Sequence, residues 1–152
     1  MGDVFNEVIR SFTPGTFHIV EADPPDVRRR KLANFLAHAH YLERRVARSF
    51  AYHMEACEAV RQPAIARVVA AVHKDESHHV SYTREAVFEL LPRREAAAVL
   101  EVHRRAEAKA NLTFSARQVR AFLSRFRAST PRHHRWLYRL SAFLMEGAGH
   151  LA

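Results

Sequence analysis

Cysteine is almost missing from this chain: Cys57 stands alone among 152 residues, so no internal disulfide forms and a stapled secreted scaffold is excluded. Glycine occurs four times and proline six, too rarely for a collagen-like or low-complexity chain. No run of apolar residues reaches the 18 or so that a membrane-spanning helix needs. Asp3 and Glu7 fall where a signal peptide would place its apolar region. A cytoplasmic protein with no membrane partner is the expectation. Acid is scarce in one place only. Residues 1–108 balance 16 Lys+Arg against 15 Asp+Glu, whereas residues 109–152 set eight basic side chains against Glu146 alone. The chain therefore has a near-neutral body and a strongly basic end.

What is abundant is Ala, Leu, Arg and Glu, with almost no alternating β-branched pattern, and this composition predicts an all-α protein punctuated by proline. At 152 residues one helical domain is expected. Residues 1–25 read as a short helix or extended arm, carrying Phe5, Val8, Ile9, Phe12, Phe17, Ile19 and Val20, broken by Thr13-Pro14-Gly15 and closed by Pro24-Pro25. Two long helices follow, over 26–61 and 63–91, each ended by proline chemistry at Gln62-Pro63 and Pro92. The first carries the stripe Leu32, Phe35, Leu36, Ala39, Leu42, Val46, Phe50, Met54 and Cys57; the second carries Ile65, Val68, Val69, Val72, Val80, Thr83, Val87 and Leu90. Helices this long, joined by so short a turn, must lie antiparallel. The basic segment 92–152 predicts three shorter helices: 94–110, one opening on the capping-box pattern Ser115 to Gln118, and one opening on Thr130-Pro131. Phe122, Phe126 and Trp136 in these helices read as core.

Chemistry concentrates in Val72-His73-Lys74-Asp75-Glu76-Ser77-His78-His79-Val80. Glu76 and His79 fall within the apolar stripe of the second long helix. At three residues' separation they differ by about 60° around the axis and can reach one ion. Glu43 lies within the stripe of the first helix by the same test. It stands 19 residues before the turn at residue 62, and Glu76 stands 14 after it, so an antiparallel pair brings them to within about a turn of the same height. Buried ionisable groups are costly unless something neutralises them, and a metal cation does so most strongly. The plain alternative is a buried polar network or an ion pair with Arg48 or Arg84.

A Glu on one long helix followed, 33 residues later, by Asp-Glu-x-x-His on the next resembles the second half of a ferritin-like di-iron carboxylate domain, whose two helix pairs supply these ligands to a four-helix bundle. The resemblance covers residues 26–91. It implies Glu43 and His79 as terminal ligands, Glu76 as a bridging carboxylate, and Asp75 as the acid that orients a ligand histidine. By position alone, His40, one turn before Glu43, and Tyr82, one turn beyond His78, are further outer residues, with packing the plain alternative for Tyr82. The resemblance also implies two iron ions per complete site, or manganese in their place, and oxidoreductase, oxygenase or ferroxidase chemistry on dioxygen and a small-molecule substrate. A complete site needs a second pair of helices. A homodimer of half-sites would supply it; the later helices, with Glu101, His103, Glu107, Glu146 and His150, are a second source; otherwise the site is vestigial. Under that last reading the chain is a non-enzymatic basic binding module. Arg125, Arg127, Arg132 and Arg135 would then hold nucleic acid or an acidic partner.

Overall fold

The structure is a computed structural model describing residues 9–11 and 17–151, the side chains of residues 150 and 151 excepted. Phe5, Val8, Phe12, the Thr13-Pro14-Gly15 break and the His150 side chain lie outside what is described. Among the described residues the chain is helical without a strand: a turn of helix at 9–11, then α1 (Pro25–Ala59), α2 (Pro63–Leu90), α3 (Arg93–Arg125) and α4 (Arg132–Leu151). Pro25 and Pro63 stand at the starts of α1 and α2, where the missing amide hydrogen would have had no helical partner.

The turn between α1 and α2 follows from its hydrogen bonds. The Gln62 amide donates to the Cys57 carbonyl at 2.8 Å and the Arg61 amide to Glu58 at 3.0 Å. These are the two bonds of a Schellman termination, which asks for a left-handed residue between them. Arg61 fills that place at φ 56°, although glycine adopts it with less strain. Arg61→Gly is therefore expected to raise stability by about 1 kcal/mol, read as a higher urea midpoint at unchanged slope.

The chain divides into two compact units, residues 15–103 and the described residues of 1–14 with 104–152, and the division falls inside α3. In the first unit α1 and α2 run antiparallel. His40 meets Val80, Glu43 meets Glu76, and Ala33 and Ala37 share a cluster with Val87 and Leu91. The opening turns of α3 close that end with Ala96 and Leu100. In the second unit Ile9, Ala110 and Phe114 pack together, and Ala116 and Ala142 are buried.

Three expectations are corrected here. The two helices expected over 94–110 and from Ser115 are a single helix of 33 residues, so two helices rather than three follow the long pair. Asn111-Leu112-Thr113-Phe114 holds no Gly or Pro and costs only tenths of a kcal/mol per residue in helix propensity. The packing of Phe114 with Ile9 and Ala110 carries the helix through it, and Ser115 caps nothing. Second, Ile65, Val68 and Val72 are exposed, as are Leu32 and Phe35. Two helices bury one strip between them, and α3 covers only the end near Ala96 and Leu100, so the seam through 65–72 stays open. Third, Phe122, Phe126 and Trp136 are exposed rather than core.

Candidate metal centre

Glu43 on α1 and Glu76 and His79 on α2 converge. One ligand atom from each lies within 4.8 Å of the others, and they form the one such group of three or more among the described residues. Glu43 and Glu76 are partly buried, whereas His79 faces outward with its side chain 54% exposed. The buried half of the expected site is thus the carboxylate pair, and the imidazole closes it from the solvent side.

The electrostatics of the group are unbalanced. A hydrogen bond with Glu76, together with burial and the Glu76 charge, pushes the Glu43 carboxyl up to about 7, and His79 offsets only part of this. Two carboxylates at such range cannot both ionise freely, and Glu43 is the one that holds its proton more tightly. Glu76 Oε2 is buried and has no hydrogen-bond partner. The nearest His79 nitrogen stands 3.7 Å away, beyond hydrogen-bond range. The arginines that a purely structural network would use are absent from it. Arg84 lies over the Phe88 ring, 5.1 Å from its centroid, and among the described residues no arginine forms an ion pair with Glu43 or Glu76.

The residues expected around the ligands are placed differently from one another. His40 is buried, donating from Nδ1 to the Val80 carbonyl at 2.9 Å with its ring edge-on to Tyr41; burial holds its pKa below the usual histidine value. Asp75 and Tyr82 are exposed. Of the later residues considered as ligands, Glu146 is bound to Arg120 at 2.5 Å. His103 is buried with Nε2 donating to Asn34 Oδ1 at 3.1 Å. Glu101 is half-buried and Glu107 buried, outside the three-residue group.

Two features escape a reading of periodicity alone. His38 and His103 meet at 6.1 Å with Phe17 stacked on His38 at 5.2 Å, a histidine pair set by tertiary packing with no local signature. In the second unit Arg120, Arg127, Arg135 and Arg139 line a cleft of about 430 Å³ with Leu123, Ser124 and Ala142. Arg127 and Arg135 belong to the expected basic group. Arg125 instead lies over Phe126 in a separate hollow beside Phe114 and Phe122, and Arg132 is exposed outside the cleft.

No family model, curated protein or solved structure matches the chain.

Proposed function

We propose that the chain is a ferritin-like metal-binding protein in which Glu43, Glu76 and His79 form half of a di-iron site and a second copy supplies the other half. The observation that carries this reading is the group itself: three donors within 4.8 Å, one carboxylate oxygen buried without a hydrogen-bond partner, and, among the described residues, no arginine paired with either carboxylate. A divalent cation answers all three. Oxygen donors with an imidazole suit iron or manganese. The open seam of Ile65, Val68 and Val72 on the helix that carries Glu76 and His79 supports a second copy as the covering surface, since burying it is worth about 25 cal/mol per Å² of apolar area.

Iron bound there would supply dioxygen reduction, the chemistry of a di-iron oxidoreductase or ferroxidase. The chain's own part is to bind through the Glu43 and Glu76 carboxylates and His79, to release the proton held on Glu43 when a cation arrives, and to exclude water from the carboxylate side. The test is metal content and mass in solution for protein prepared anaerobically with ferrous iron. The expected result is about one iron per chain in a dimer, lost in His79→Ala. Metal-free protein under these conditions would overturn the reading and favour the alternative, a basic binding module with a vestigial site, to which the arginine cleft belongs.

A further inference from the structure

The most unusual surface of the second unit is α4. Trp136, Leu137, Leu140, Phe143 and Leu144 follow the spacing i, i+1, i+4, i+7, i+8, which places them on one face of a helix. All five are exposed, Trp136 at 63% and Phe143 at 67%. The side that α4 turns inward carries the small residues Ala142 and Gly149 together with Tyr138, whose ring meets Phe122 edge-on at 5.7 Å. Ala142 is buried, and a Cβ on Gly149 would meet Leu112 and Thr113 at 3.6 Å. The helix thus packs by the side that holds Tyr138, Ala142 and Gly149 and presents its large apolar side outward, a contiguous patch of the kind that marks an interaction site.

Arginines line a cleft on the side of α4 that holds Ala142. Arg135 and Arg139, on α4 itself, join Arg120 and Arg127 around the cleft of about 430 Å³. Glu146, the single acid after residue 108, is engaged with Arg120. Among the described residues Arg127, Arg135 and Arg139 have no acidic partner.

We propose that α4 and the arginine cleft dock the protein on an anionic lipid surface. Trp136, Leu137, Leu140, Phe143 and Leu144 would enter the acyl boundary, and Arg127, Arg135 and Arg139 would take lipid phosphates. A helix with Trp, Phe and Leu on one side and arginine on the other lies in the plane of such an interface. With 20 residues it is about 30 Å long. No described helix is long and apolar enough to cross a membrane, which leaves adsorption as the mode. Charge selects the occupant. A second copy would bring two strongly basic segments together face to face. Nucleic acid would satisfy the arginines and leave Leu137, Leu140 and Leu144 without a partner. Lipid satisfies both, and its tails conform to a convex helix without a matching groove. This inference rests on a different unit from the metal centre and stands apart from it.

Trp136 is the only tryptophan in the chain and reports directly on the face. The full chain is mixed with phosphatidylcholine vesicles, with mixed phosphatidylcholine–phosphatidylglycerol vesicles, and with a single-stranded oligonucleotide. The expected result is co-sedimentation with the anionic vesicles and a blue shift of Trp136 emission. Arg135→Gln and Arg139→Gln should each weaken binding roughly fivefold. Phe143→Ser with Leu144→Ser should abolish the shift while circular dichroism stays unchanged, since both positions are exposed. Failure to bind anionic vesicles overturns the proposal. So does binding that Phe143→Ser with Leu144→Ser leaves intact. A blue shift that grows with protein concentration without lipid would assign the face to a second copy, and oligonucleotide binding without vesicle binding would assign the arginines to nucleic acid; either overturns it.

Discussion

Glu76→Ala should lower affinity for ferrous iron or manganese at least about 100-fold, since losing an outer partner alone costs 10- to 100-fold and Glu76 is placed as a direct ligand. The metal-free variant should also be no less stable than the parent. In the parent, Glu76 Oε2 is buried and unpaired, a cost of about 1–3 kcal/mol, and its carboxylate presses on Glu43. Removing the side chain relieves both terms and gives up one methylene, about 0.8 kcal/mol, and the hydrogen bond with Glu43, about 1 kcal/mol. The two nearly cancel or leave a small gain. A structural network predicts the opposite sign, because there each member satisfies the next. Titration of Glu43 gives a second readout. Its carboxyl stands at about 7 mainly through the hydrogen bond with Glu76, so in Glu76→Ala it should fall back toward the ordinary carboxylate range. The sign for metal uptake follows. Below about pH 7 the Glu43 proton competes with the cation, and apparent affinity should drop by up to tenfold per pH unit; above it the affinity should level off. Urea unfolding of both metal-free proteins, with isothermal titration of the metal at pH 6 and pH 8, would show this. Unchanged metal binding in Glu76→Ala would end the metal assignment.

The second large effect is on acid stability, and it comes from His103. This side chain is 1% exposed; Nε2 donates to Asn34 Oδ1, and Nδ1 is sealed without a partner. Burial, with a smaller part from the His38 charge, pushes its pKa down to about 4. A histidine that must stay neutral in the fold binds a proton in the unfolded chain first. Its contribution is therefore complete above pH 6.5 and is lost as pH falls from 6.5 toward 4, to a total of about 3 kcal/mol. His38 and His40, both lowered chiefly by burial, act in the same direction. Glu43 acts in the other: its raised pKa means that its contribution is present at low pH and lost as pH rises from 4.5 through about 7. Measurement in a Glu43→Gln background separates the two. There, Tm should be flat from pH 8 to 6.5 and fall below that, and His103→Gln, which keeps a donor for Asn34, should remove most of the fall. A slope that survives His103→Gln would place the titrating group elsewhere.

How far the sequence reaches is clear from particular residues. Pro25, Pro63, Pro92 and Pro131 bound the helices to within two residues at most junctions, because proline acts on its own backbone and needs no neighbour. Glu43, Glu76 and His79 could be brought together because an antiparallel pair with a three-residue connection has only one register, and helical period then puts Glu43 and Glu76 on facing sides with His79 one turn further on. Continuity through Asn111–Phe114 was illegible, since weak local preferences were overruled by Ile9, more than a hundred positions earlier in the chain. The His38–His103 contact joins residues on different helices with no shared motif, and membership of the arginine cleft turned on where α4 lies against α3, which drew in Arg120 and Arg139 and left out Arg125 and Arg132.

The amino-acid sequence by itself determined that the chain is helical, where most helices begin and end, and which three side chains meet on the long pair, because each of these depends on local backbone chemistry or on a single short connection. Tertiary structure alone decided which apolar faces are covered. Periodicity shows that a helix has an apolar side but not what lies across from it. Here α3 covers one end of the α1–α2 seam and leaves Ile65, Val68 and Val72 open, and α4 packs through Ala142 and Gly149, so that its large apolar side, Trp136 to Leu144, is turned to the outside.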